Sequence, residues 1–352
     1  MKKYLIWAVA LMLILTTLAL CMTACDPIEP APETTDGAAD TTANTTAEET
    51  TEEEPTMEET TIEAETTTAS ETTAEPETTA ETTAAEETTE EETTEPETLY
   101  VRDGTPKKYI TIRMDDGITQ DARMMEIMRK YGVDCCTFYI SSGRFGKSIT
   151  VYPDRPDVTH ICFTRKEIVA GVYDGFDIQS HTQNHPPLKG CTDNVVTSEV
   201  KNDAVALKRI FGYQPVGVAW PGGDGDITDH TIDVVMETTN IRYGSCTTRN
   251  TYKGIKKFGL PQYFMRWYPT CSVSDSDAQS LLEEFIAADC TEDMLYFVWG
   301  HGFELDRFDS WDKFELMIKT IAEAAAADED IILVTNSEFY ELFKDEIPSW
   351  KE

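Results

Sequence analysis

The sequence predicts an α/β fold, a distorted (β/α) barrel of seven or eight parallel strands, preceded by a disordered tether. Three observations predict it. From Leu99 onward, short apolar strand-like runs alternate regularly with helical patterns, and such alternation means parallel strands joined by crossovers. Seven or eight of these units occupy residues 99–352, which is the size and rhythm of a barrel. A doubly wound open sheet is the alternative, but no Gly-rich phosphate loop follows the first strand.

The elements run in order along the chain. A strand over 109–114 precedes a helix over 120–131, whose apolar positions are Ala122, Met125, Ile127 and Met128. A second strand covers 135–140. A loop with Gly, Ser, Pro and Asp then reaches about Cys162, a helix starts near Thr164, and a third strand covers 176–180. A long helix over 195–211 is stopped by Gly212. Further strands fit 216–220, 241–245, 263–267, 294–299 and 331–335. Further helices fit 228–238, 277–288, 310–326 and 337–344.

Residues before Leu99 read differently. Lys2 and Lys3 open an apolar run from Tyr4 to about Leu20, which ends in Met22-Thr23-Ala24-Cys25. That is the pattern of an export signal of lipoprotein type over residues 1–25, with Cys25 the lipidated first residue of the mature protein. Cleavage without lipidation and retention as an uncleaved anchor are the other outcomes; the run barely reaches spanning length, which favours lipidation. All three place the rest of the chain outside the cytoplasm.

Residues 26–98 are almost entirely Thr, Glu, Ala and Pro, with 25 acidic residues and no Lys or Arg. So few aliphatic side chains cannot offset the entropy of ordering, and the segment is read as a tether. A flexible chain of that length spans roughly 50 Å. The tether carries most of the formal net charge of -36; residues 99–352 hold 40 acidic against 27 basic residues. An acidic domain without basic runs excludes nucleic acid as an expected partner. Its seven cysteines show no zinc-ribbon spacing and are expected mostly as buried apolar residues.

Chemistry concentrates where the barrel reading puts it. Asp115 and Asp116 follow the first strand, His181 and His185 follow the third, and His301 follows the seventh, in Trp299-Gly300-His301-Gly302. Barrel enzymes place their active sites at strand C-terminal ends. Two histidines separated by three residues face one way on a helical turn and share a cation. One carboxylate added to them makes a three-ligand site with open positions. The adjacent carboxylate is then free to act as general base, and a further histidine to protonate a leaving group. This is a kit for metal-assisted hydrolysis of an amide or ester. His160, in an irregular stretch, and His230, in a surface turn, are read as structural.

On these motifs the stretch from Lys108 to about Phe343 resembles the polysaccharide deacetylases of carbohydrate esterase family 4, the NodB-homology group, especially its branch with a Trp-Gly-His turn. The resemblance implies a divalent metal, most often zinc, held by Asp116, His181 and His185. It implies Asp115 as the base and His301 as the acid, with metal-activated water attacking an acetyl carbonyl. One motif departs from the pattern. Many members carry an Arg two residues before the proline that corresponds to Pro221, and here that position is Ala219. Arg266 is the expected replacement as base-orienting residue. Arg113 is close in sequence to Asp115, but strand alternation leaves its direction unsettled. Trp220, Trp267, Tyr268 and Trp299 are candidate sugar-stacking residues, with core packing the competing reading.

The expected function is removal of acetyl groups, N-acetyl before O-acetyl, from a cell-wall or extracellular polysaccharide by a membrane-anchored lipoprotein. A metal-bearing carbohydrate-binding protein without turnover is one alternative. A non-haem iron oxygenase is another, since two histidines and a carboxylate also suit iron. Both leave the acid–base pair unexplained.

Overall fold

The computed structural model describes residues 100–149 and 152–351. The export signal, Cys25 and the tether lie outside the described residues. No described helix is long and apolar enough to cross a membrane.

The first strand, β1 (Lys108–Asp115), is buried along its whole length. Its side chains divide by the period of two. Ile110, Ile112 and Met114 join the cluster that packs the sheet against helices, with Met124, Met128, Phe314 and Ile318. Tyr109 faces the other way, into a cluster with Tyr139, Tyr243, Trp267 and Phe297. Arg113 and Asp115 share the parity of Tyr109, so the charged end of the strand sits on the inner face.

The remaining strands are β2 (Cys136–Ile140), β3 (Asp177–Ser180), β4 (Gly217–Ala219), β5 (Tyr243–Ser245), β6 (Cys271–Ser272), β7 (Met294–Gly300) and β8 (Ile331–Leu333). Every pairing between them is parallel. The path runs β5-β4-β3-β2-β1-β7-β6, with β8 off it on β1. β7 uses one edge of β1 over 108–114. The other edge is shared, with β8 on Lys108–Ile110 and β2 on Ile112–Asp115. That sharing is the distortion of the barrel. The curl is drawn together by the stretch 267–272: Trp267 bridges to Ser245 at the β5 edge, and Cys271 and Ser272 pair with β7.

Eight helices accompany the strands among the described residues. They are α1 (Asp121–Tyr131), α2 (Arg165–Val169), α3 (Asp193–Phe211), α4 (Asp229–Thr238), α5 (Ala278–Ala287), α6 (Gly302–Arg307), α7 (Trp311–Ala327) and α8 (Asn336–Phe343). α3 buries Val196, Val200, Asp203, Ala204 and Leu207 along one stripe. It ends at Gly212, whose φ of 82° is left-handed and lets its N–H reach back to the Lys208 carbonyl.

One expectation needs correction. The stretch 263–267 is not a strand. A 3-10 turn occupies Phe264–Arg266, because the N–H groups of Phe264 and Met265 donate to the carbonyls of Pro348 and Ser349 instead of to a neighbouring strand. The strand comes a few residues later, at Cys271–Ser272, where no apolar run announces it. The short helix α6 directly after His301 has no counterpart among the elements expected from sequence.

One buried carboxylate ties α3 to the strand ends. Asp203 accepts from the Ser142 N–H and the Ser180 hydroxyl, both at 2.7 Å. Burial pushes its carboxyl up to about 7 despite those bonds. A carboxyl raised above its unfolded value contributes stability that is fully present below about pH 4 and is lost as pH rises through about 7. Asp203→Asn keeps the shape and removes the titration. Its melting temperature is therefore expected to gain on the parent's between pH 5 and pH 8. Equal differences at the two pH values in thermal melts contradict this.

Candidate metal and catalytic centre

β1 delivers two neighbouring carboxylates to two different places. Asp115 is still in the ladder, opposite Tyr139. Asp116 leaves it with φ 79°, followed by Gly117 at φ 68°. A side chain at Gly117 would also meet Ile140, its Cβ 2.8 Å from Cγ2. A left-handed residue other than glycine costs about 1–3 kcal/mol and clusters at functional sites. The turn swings Asp116 away from the partner of Asp115.

That partner is Arg113. Its Nε donates to Asp115 Oδ1 at 2.8 Å and its Nη2 donates to Oδ2, while Nη1 donates to Ser245 Oγ at 2.7 Å and to the Cys246 carbonyl at 2.6 Å. Both side chains are fully buried. Burial pushes the Asp115 carboxyl up, but the Arg113 charge and His181 outweigh it, and the net shift is down. Arg266 does not take this role. Its Nη2 donates to Asp229 at 2.9 Å and its guanidinium lies over Trp350, because the 3-10 turn carries it outward.

Asp116 faces histidines. Its Oδ1 lies 3.5 Å from His181 Nε2 and 3.6 Å from His185 Nε2. The two imidazoles project from a loop and not from a helical turn, with Thr182 at φ 61° and His185 at φ 59°. His181 Nδ1 donates to the Ala219 carbonyl at 2.8 Å, which leaves Nε2 as a bare lone pair. That nitrogen is buried with no hydrogen-bond partner. Burial, before any other cause, lowers the basicity of both rings, that of His185 to about 3. Neutral imidazoles and an ionised carboxylate are the ligand states that metal binding needs.

These donors fit a divalent cation. One atom from each of Asp116, His181 and His185 lies within 4.8 Å of the others. Donors about 2.0–2.2 Å from a tetrahedral ion stand about 3.4 Å apart, close to the two spacings seen. Without a cation or a proton between them, a bare imidazole nitrogen and a carboxylate oxygen would repel in a buried site.

His301 lies opposite, as the residue before α6. Its Nε2 is 3.8 Å from Asp116 Oδ2, and its Nδ1 is 3.6 Å from Glu304 Oε2. Burial lowers its basicity, but Glu304 and Asp116 more than compensate and push it up to about 9. Three further neighbours were not assigned to the site from sequence: Glu304, Arg144, with Nη1 3.4 Å from Asp116 Oδ1, and His160, with Nε2 3.0 Å from Asp116 Oδ2.

The aromatic candidates divide. Trp220 and Trp267 are fully buried. Trp220 donates Nε1 to the Met265 carbonyl, and Trp267 packs on Phe297 and Phe339. Both are core residues, and Pro221 is a buried turn residue. Tyr268 lines a separate cavity with Arg266 and Trp350. Trp299 stays at the site. Its ring lies 5.4 Å from that of His301, and it lines an open cleft of about 560 Å³ with Tyr252, Arg249 and Asp275.

The family model for polysaccharide deacetylase matches residues 102–244. That stretch of the chain is similar to the polysaccharide deacetylases. The matched stretch contains Arg113, Asp115, Asp116, His181 and His185, and His301 lies beyond it. No curated protein matches the chain. Among solved structures it is similar to a putative polysaccharide deacetylase from Mycobacterium smegmatis, at 13% identity and a TM-score of 0.47, covering 73% of this chain and 98% of that one. It is also similar to a family 4 carbohydrate esterase from Streptomyces lividans, at 13% identity and a TM-score of 0.39, covering 64% and 92%. The deacetylase PplD from Streptococcus pyogenes matches at 19% identity and a TM-score of 0.32, over 40% of this chain. The chain spans 56% of the length of that protein.

Proposed function

We propose that this chain is a polysaccharide deacetylase, an exported lipoprotein that removes acetyl groups from a cell-wall or extracellular polysaccharide. Asp116, His181 and His185 hold a divalent cation, zinc before others. The observation that carries the reading is the convergence of the bare His181 Nε2 and of His185 Nε2 on Asp116 Oδ1, beside a second carboxylate that Arg113 keeps ionised. When bound, the cation supplies Lewis acidity to water and to the acetyl carbonyl.

The chain's own residues supply the rest. Asp115, held by the Arg113 fork, accepts a proton from the attacking water. His301, protonated at neutral pH beside Glu304, delivers a proton from Nε2 to the leaving group. An amine leaves poorly unless protonated, so a general acid placed at His301 suits an N-acetyl substrate. The cleft along Trp299 and Tyr252 offers aromatic faces to the neighbouring sugar units. Membrane attachment rests on the signal at residues 1–25 and Cys25, and the acidic tether gives reach into a wall.

The test is release of acetate by the zinc-loaded chain from N-acetylated amino-sugar oligomers and from an O-acetylated xylan. Acetate with an equal yield of free amine is expected from the first. Release from the xylan alone would move the reading to an esterase, and release from neither would overturn it.

A further inference from the structure

The two oxygens of Asp116 are not used alike. Oδ1 faces His181 and His185 at 3.5 and 3.6 Å. Oδ2 has one hydrogen-bond partner among the described residues, His160 Nε2 at 3.0 Å, with His301 Nε2 too distant at 3.8 Å. We infer that His160 is a positioning residue that fixes Asp116 as a single-oxygen ligand, by donating its Nε2–H to Oδ2. The inference rests on the metal reading above.

The proton must sit on Nε2. A bare Nε2 would set a lone pair against a carboxylate oxygen at hydrogen-bond distance in a buried site, while Nδ1 is buried with no partner to hold a proton in place. The ring and the backbone that carries it are both held. It stacks on Phe303, centroids 4.5 Å apart and planes within 30°. Its carbonyl accepts from the Ile149 N–H at 2.8 Å. The next two residues are stitched to the turn that carries Asp116: the Ile161 carbonyl accepts from Thr119, Cys162 bridges to Ile118, and the Cys162 thiol donates to the Asp116 carbonyl. Imidazole and carboxylate are thus mounted on one frame.

His160 is not itself one of the three clustered ligands. Its effect is on denticity. A carboxylate free to chelate takes two coordination positions, whereas one with Oδ2 engaged takes one and leaves room for water and a substrate oxygen.

The decisive variants separate the donor from the ring. His160→Gln keeps an N–H near the Nε2 position, His160→Met has similar bulk without a donor, and His160→Phe keeps the stack on Phe303 without a donor. Zinc affinity of the full chain, stripped of metal and titrated against a chromophoric chelator, is the readout, with melting of the metal-free protein alongside. The two donor-free variants are expected to bind zinc about ten- to a hundredfold more weakly, the usual cost of losing an outer-shell partner. His160→Gln is expected to restore most of the loss. They differ in the stack on Phe303, so if one fails to fold the other decides. Parental affinity in a donor-free variant, or equal weakness in all three, overturns the inference. Failure of the parent to bind zinc overturns the metal reading and this inference with it.

Discussion

Asp115→Asn is expected to lower acetate release by roughly a hundred- to ten-thousand-fold, the range typical of a lost general base, with the metal still bound. The amide keeps the size of the side chain but cannot take a proton. It also leaves Arg113 fully buried without its counter-charge. Breaking one side of a buried pair typically costs about 3–5 kcal/mol, so a lower melting temperature should accompany the loss of rate. Asp116→Asn should behave in the opposite way and lose metal, because Oδ1 is the oxygen facing both imidazoles. His301→Ala should resemble Asp115→Asn, with metal retained and turnover lost, since it faces the unligated oxygen. Metal content and acetate release on the three variants decide the matter. Metal lost from Asp115→Asn and kept by Asp116→Asn would exchange the two roles, and parental activity in His301→Ala would remove it as the acid.

Replacing His181 by Ala is expected to weaken zinc binding by more than the ten- to hundredfold that loss of an outer-shell partner costs, because a three-ligand site loses one of its protein donors. His181 is fully committed to that task. It is buried, and its Nδ1–H is anchored on the Ala219 carbonyl, which aims Nε2 at Asp116. His185 is a quarter exposed and has no such side-chain anchor, yet its Nε2 stands at nearly the same distance from Asp116. His185→Ala should therefore change affinity in the same direction. Elemental analysis showing one metal per chain in both variants, after dialysis that leaves the parent loaded, would sink the ligand assignment.

Much of this centre was legible in the sequence because strand ends are legible. Apolar runs located β1, β3 and β7, and the residues after them are the ones the fold collects. What periodicity cannot show is direction after a strand ends. The split between Asp115 and Asp116 depends on a positive φ at Asp116, which nothing in an Asp-Asp pair announces. Arg113 and Asp115 stand two residues apart, and with β1 running to Asp115 alternation puts both on one face. Arg266 was misplaced because the strand expected over 263–267 is a turn held by tail carbonyls. Trp220 and Trp267 at strand ends looked like sugar platforms, but an aromatic there packs inward equally well. His160 had no local signal at all. Its place depends on antiparallel bridges that fold the loop before α2 back onto residues 118–119, a tertiary event.

The most direct measurement of the central claim is acetate release by the chain as metal is removed and restored. The chain is stripped with a chelator, titrated with zinc, and assayed on an N-acetylated amino-sugar oligomer at each point. The account predicts no turnover in the stripped protein and a linear rise in rate that saturates at one zinc per chain. It also predicts that His181→Ala shows no such saturation at the same zinc concentrations. Acetate release at the full rate by the stripped protein would contradict it, as would one bound zinc per chain with no acetate released.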